Sequence, residues 1–125
     1  MSARAVACEV VRRTFEEDAY TDRAFRAEAD RAELDDRERR QAMRLAFGTV
    51  QRVRTLDHAL ETLAVRPAGE LQPTLRAALR IGAYQLLFSE GVPAHAAVNE
   101  TVELCKRVAG LHTAGLANAP RTSLE

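Results

Sequence analysis

Apolar residues recur along this chain at steps of three and four, and strict alternation is absent, so the pattern predicts helices throughout. Ala3, Ala7, Val10 and Val11, then Phe15, form one stripe over residues 3–17, with Ser2 as the N-cap. Thr21 or Asp22 caps a second helix running to about Arg31, with Ala24, Phe25 and Ala29 inward. Asp35 and Asp36 open a third, where acids suit the positive end of the helix dipole. Its inward face is Ala42, Leu45, Ala46 and Val50, broadened by Met43 and Phe47. Gly48 on that helix costs about 1 kcal/mol against alanine, which close approach by another helix would justify.

Thr55 is the expected cap of a fourth helix over Leu56 to Ala64, ended by Pro67-Ala68-Gly69, with Leu56, Ala59, Leu60 and Leu63 on one face. Pro73 suits the first position of a fifth helix. There Leu75, Leu79, Gly82 and Leu86 mark the expected buried stripe, and Ala78 and Gly82 leave room for a neighbour. Gly91 supplies a left-handed turn and Pro93 begins a sixth helix, with Ala97, Val98, Thr101, Val102, Cys105 and Val108 inward and Gly110 as its end. The reading is an all-α, compact bundle of six to seven helices in one domain.

Composition agrees: of 125 residues, 46% are hydrophobic and 29% charged, which argues for a folded core rather than disorder. Net charge is zero, against a dedicated polyanion binder, but the charge is segregated. Residues 16–36 hold nine acids and three arginines, whereas 37–54 hold six arginines and only Glu38 as an acid. Of the cations only Lys106 is lysine, and arginine grips phosphate in bidentate fashion. For Arg37, Arg39, Arg40, Arg44, Arg52 and Arg54, which span more than one helical face, the default is a solvated surface on which some pair with the acids of residues 16–36, and an RNA-facing patch is the minority alternative.

Candidate chemistry is sparse. His58, His95 and His112 are too scattered for a metal site, and Cys8 and Cys105 read as reduced thiols among apolar neighbours. Gly110 to Gly115 lacks the ending of a phosphate loop. No catalytic residue and no metal ligand are expected. The start carries no signal-peptide pattern and no apolar run spans a membrane, so a cytoplasmic location without membrane contact is expected. Asn99, Glu103 and Arg107 step by four along the sixth helix and read as a solvated strip. Arg76, Arg80 and Tyr84 do the same on the fifth and read as arginine stems packed on tyrosine.

Several longer stretches carry a resemblance. Asp36-Arg37-Glu38-Arg39, Leu45 to Arg52, Arg54-Thr55-Leu56-Asp57, Leu79 to Phe88, Val92 to Leu104 and Gly115 to Ala119 together resemble the NusB-like RNA-binding domain of bacterial ribosomal RNA cytosine-C5 methyltransferases. The resemblance covers residues 1–119. It implies an all-helical NusB-like domain that helps to bind small-subunit (16S) ribosomal RNA and orients it for a separate α/β catalytic domain of the same parent chain. That catalytic domain would hold S-adenosylmethionine and the catalytic cysteines. This chain alone is then no enzyme and holds no cofactor. The resemblance and position along the helices point to Arg4, Arg12 and Arg13 on the first helix and to Lys106, Arg107, Asn118 and Arg121 later as RNA-binding residues, with capping of the last helix the alternative role for Asn118.

After Asn118-Ala119 the family pattern continues as a helix, whereas Pro120 interrupts it here. Residues 120–125 are therefore expected to be a short tail, truncated or left from cloning. A stand-alone NusB-type antitermination factor, which binds leader RNA and a ribosomal protein, is the alternative. A structural or dimerisation domain is the third possibility.

Overall fold

The computed structural model describes residues 2–63, 71–89 and 91–115. Six helices make up the architecture: α1 (Ala3–Glu16), α2 (Thr21–Arg31), α3 (Asp36–Gln51), α4 (Val53–Leu63), α5 (Pro73–Phe88) and α6 (Ala94–Gly115). Among the described residues there is no strand, and no helix is long and apolar enough to cross a membrane.

Helix starts follow local chemistry. The Ser2 hydroxyl accepts from the Ala5 amide at 3.1 Å, satisfying one free donor of the first turn. At α3, Asp35 and Glu38 close a reciprocal capping box, with the Asp35 carboxylate accepting from the Glu38 amide at 2.8 Å. The Gln72 side chain caps α5, and Pro73 occupies its first turn. Three expected starts are corrected. Tyr20, not Thr21 or Asp22, precedes α2, because the Thr21 hydroxyl shares a 3.3 Å hydrogen bond with Thr14. Thr55 lies inside α4, which restarts at Val53 after a break at Arg52 only. Pro93 stands just outside α6, and Gly110 does not end that helix. The Pro67-Ala68-Gly69 bend falls outside the described residues, as does the tail.

Two helices organise the core. α1 packs on α2, α3 and α5, and α5 packs on α1, α3, α4 and α6. Val6, Val10, Val11, Leu45, Leu56 and Ile81 are fully buried, or nearly so. Each contributes at most about 1.5–3 kcal/mol from area removed from water. The expected inward residues of α1 and α2 are in place, with Phe15 partly buried at the edge.

On α5 the buried face is Ala77, Ala78, Arg80, Ile81, Gly82 and Gln85 rather than the leucine stripe. A helix crossed on several sides needs small residues at its contacts. A Cβ on Gly82 would collide with Thr101 of α6. The leucines stand on the flank instead: Leu86 and Leu87 are about half exposed and, with Leu60, Leu79, Ala83 and Thr101, border a 170 Å³ apolar groove. Likewise Leu104 replaces the expected Val98 and Val102 as a buried residue of α6, and Thr49 outranks Val50 and Met43 on α3. Gly48 does answer a close approach, but from the Tyr84 ring rather than a helix backbone.

Candidate nucleic-acid interface

The α1 arginines are already occupied. Arg12 donates to Glu9, at 2.6 Å from Nη2, and to Glu17 at 2.7 Å. Arg13 donates to Glu17 at 3.2 Å and to the buried Glu28 at 2.9 Å. Hydrogen bonds from Arg12 and Arg13 hold the Glu17 carboxyl below its usual range, while the Arg12 guanidinium is raised first by its hydrogen bonds to Glu9 and the Arg13 guanidinium first by that to Glu28, with Glu17 adding to both. Glu28 also accepts from Arg31, so one buried carboxylate ties α1 to α2. A phosphate reaching Arg12 or Arg13 must displace an existing carboxylate.

Arg4 lies at the other end of α1 and pairs with Glu100 of α6, while its Nε donates to Gln85 Oε1 at 3.3 Å. Arg107 reaches back to the N-cap, Nη1 donating to Ser2 Oγ at 3.2 Å. The fold thus brings Arg4 and Arg107 together at a cleft of about 250 Å³ lined by Ser2, Asn99, Glu100, Glu103 and Leu104 as well. Lys106 stands beside it, largely exposed, with Nζ 3.8 Å from Glu103. Arg12 and Arg13 sit roughly 12 Å along α1 from Arg4, two turns from that cleft. Asn118 and Arg121 lie outside the described residues. The strip Asn99–Glu103–Arg107 borders this cleft rather than lying wholly in open solvent.

The ladder on α5 is turned into the protein. Arg80 makes a bidentate pair with Asp57 of α4 at 2.7 and 2.8 Å and lies over the Phe15 ring, 4.8 Å from its centroid. Arg76 pairs with Glu16 and donates to the Leu71 carbonyl at 3.1 Å. Tyr84 covers Gly48 and stacks on Phe88, so its partner is an aromatic ring rather than an arginine stem. These three side chains join α5 to α1, α3 and α4.

Among the described residues, the arginine-rich stretch pairs with the preceding acids at one position, Arg39. Arg39 pairs with Asp30 of α2, and Arg52 lies 4.3 Å over the Phe88 ring. Arg37, Arg40, Arg44 and Arg54 are exposed and make no ion pair among the described residues. Of the acids in residues 16–36, Glu16, Glu17 and Glu28 are taken by Arg76, Arg12, Arg13 and Arg31 from outside the stretch, and Asp30 by Arg39 from within it. The spacing of Arg37, Arg40 and Arg44 was the available signal: three and four residues apart, they share one side of a helix.

Residues 1–119 match the NusB family. The chain belongs to that family. This NusB-family domain is 41% identical over 106 residues to the probable ribosomal RNA small subunit methyltransferase B of Synechocystis, covering 85% of the chain and 24% of that protein. To the ribosomal RNA small subunit methyltransferase B of Thermus thermophilus it is 46% identical over 99 residues, 78% of the chain and 23% of the relative. The transcription antitermination protein NusB of Ralstonia pickettii is 37% identical over 83 residues, 66% of the chain and 48% of that protein. The NusB-family domain therefore spans about a quarter of the methyltransferases and about half of this antitermination protein. A chain of the solved structure "Crystal Structure of a Plectonemic RNA Supercoil" superposes with a TM-score of 0.77 over 94% of this chain and 96% of its own, at 18% identity, a likeness of fold.

Proposed function

We propose that this NusB-family domain is the RNA-binding accessory part of a small-subunit ribosomal RNA cytosine-C5 methyltransferase. The observation that carries this is the reach of the similarity. The two methyltransferases above match 78–85% of the chain at 41–46% identity, against 66% of the chain at 37% for the antitermination protein. In this reading the domain adds contacts to ribosomal RNA and orients it in the cytoplasm for the methyltransferase's catalytic domain. Arg4, Lys106 and Arg107 around the cleft are the proposed contacts, and Arg12 and Arg13 join only by giving up their carboxylates. S-adenosylmethionine and the methyl transfer belong to the catalytic domain. The aliphatic groove fits such a charged cofactor poorly, and an Arg4–Glu100 pair borders the cleft.

The test is binding of the full chain to a labelled small-subunit ribosomal RNA fragment and, in parallel, to a transcription leader RNA, each across a salt series. Tighter binding of the ribosomal fragment, falling steeply with salt, is expected. Preference for the leader RNA, strengthened by a ribosomal protein, would replace this reading with the antitermination one, which the larger share of the Ralstonia protein covered favours. No binding to either RNA at low salt would refute both.

A further inference from the structure

We propose that the outer face of α3, bearing Arg37, Arg40 and Arg44, is a second RNA-backbone contact surface; the proposal rests on the RNA-binding reading above. One turn of α-helix takes 3.6 residues, so these three side chains lie within about 60° of one another around the axis and span about 10 Å along it. Ala42, Leu45, Ala46 and Thr49 occupy the opposite side and are buried. The arginines therefore serve no packing role, and the helix they stand on is held rigidly from behind.

Their charge is offset only in part, by Asp36 in the first turn of α3, four residues before Arg40. Arg39, one position away from Arg40, turns to Asp30, whereas Arg37, Arg40 and Arg44 are exposed with no ion pair among the described residues. The neighbouring acid Glu38 accepts from the Asp35 amide at 3.2 Å in the capping box. Between Glu38 and Asp57 the sequence contains no acid. In a chain of zero net charge, where Arg4, Arg12, Arg13, Arg31, Arg39, Arg76 and Arg80 are committed to carboxylates, this is a local excess of free guanidinium groups. Guanidinium groups bind phosphate oxygens in bidentate fashion, and binding releases counterions. Gln51 is exposed on the same side two turns further on and offers an amide to a sugar hydroxyl or base edge. Met43 is the one exposed large hydrophobic residue on α3, too little apolar surface for a lipid bilayer.

The experiment compares the full chain with the Arg37→Gln/Arg40→Gln/Arg44→Gln variant on the labelled ribosomal RNA fragment across salt. A single strand contributes a slope of about 0.7 per phosphate contact, so three lost contacts flatten the plot of log K against log salt by about 2. At 0.1 M salt the same three contacts correspond to a loss of about a hundredfold. The Arg37→Lys/Arg40→Lys/Arg44→Lys variant should keep the slope. A control, Arg23→Gln/Arg26→Gln on exposed positions of α2, should also keep it. Unchanged slope and affinity in the glutamine variant, with the parent still binding RNA, would overturn the α3 surface and leave the wider reading standing. An equal drop in the α2 control, or polyglutamate binding as tightly as RNA with the same salt slope, would overturn it too. Failure of the parent to bind RNA at all would instead sink the reading on which it rests.

Discussion

Asp57→Ala removes the carboxylate that holds Arg80 between α1, α4 and α5. The Arg80 side chain is only 10% exposed and gives two hydrogen bonds to Asp57, at 2.7 and 2.8 Å. Losing one partner of a buried pair costs about 3–5 kcal/mol, because the charge left behind is neither solvated nor paired. The Asp57 side chain is 27% exposed, so water enters the vacated space and recovers part of that, leaving about 2–3 kcal/mol. Unfolding entropy near 2.1 cal/mol/K per residue makes each kcal/mol worth about 4 °C here, a fall in Tm of about 8–12 °C. Urea unfolding followed by circular dichroism measures the loss directly. The same change in an Arg80→Met background should cost below about 1 kcal/mol, since no charge remains to be orphaned. A loss under about 0.5 kcal/mol in the parent, or equal losses in both backgrounds, would refute the argument that a desolvated guanidinium depends on Asp57.

Gly82→Ala should destabilise by up to about 2 kcal/mol in the same assay: overpacking costs about 1–3 kcal/mol, set against about 1 kcal/mol of helix propensity gained. The new methyl meets the short Thr101 side chain, so a Gly82→Ala/Thr101→Ala double variant should recover most of the loss. Thr49→Val should stabilise by about 1 kcal/mol, because the buried Thr49 hydroxyl has no hydrogen-bond partner among the described residues. Thiol labelling should reach Cys105 before Cys8: burial raises both, Cys8 to about 12, and Cys105 is only partly buried. Since Cys8 keeps its proton in the folded state while the unfolded thiol ionises near 9.0, its contribution to stability is whole below that pH and is lost progressively as pH rises towards 12, visible as a falling Tm.

Helix existence was legible because amphipathic spacing and capping residues agree, as at Ser2, Asp35 and Pro73. What escaped was the rotation of α5. Large leucines look like a core stripe, but a helix enclosed by four others buries its small residues and pushes Leu79 and Leu86 to the flank. The same confusion made Val98 and Val102 look inward. For the candidate interface, charge counting along the chain could not say which arginine meets which carboxylate. Glu28 comes to Arg13 and Arg31, and Asp57 to Arg80, through contacts made by folding. Helical spacing alone was enough to align Arg37, Arg40 and Arg44, but among six arginines spread over more than one face it left an RNA-facing patch as the minority reading.

The pairing of α1 with α5 has a consequence for how the chain becomes ordered in time. α1, α2 and α3 are contiguous, so they can assemble as soon as they leave the ribosome. The other side of α1 must wait for a helix that begins some seventy residues later. During that interval the apolar flank of α1 near Cys8 is uncovered, and in the finished fold the Cys8 thiol donates to the Thr74 carbonyl, at 3.6 Å, in the first turn of α5. That one sulfur therefore records the arrival of α5: accessible while the chain is half made, shut once the late helix docks.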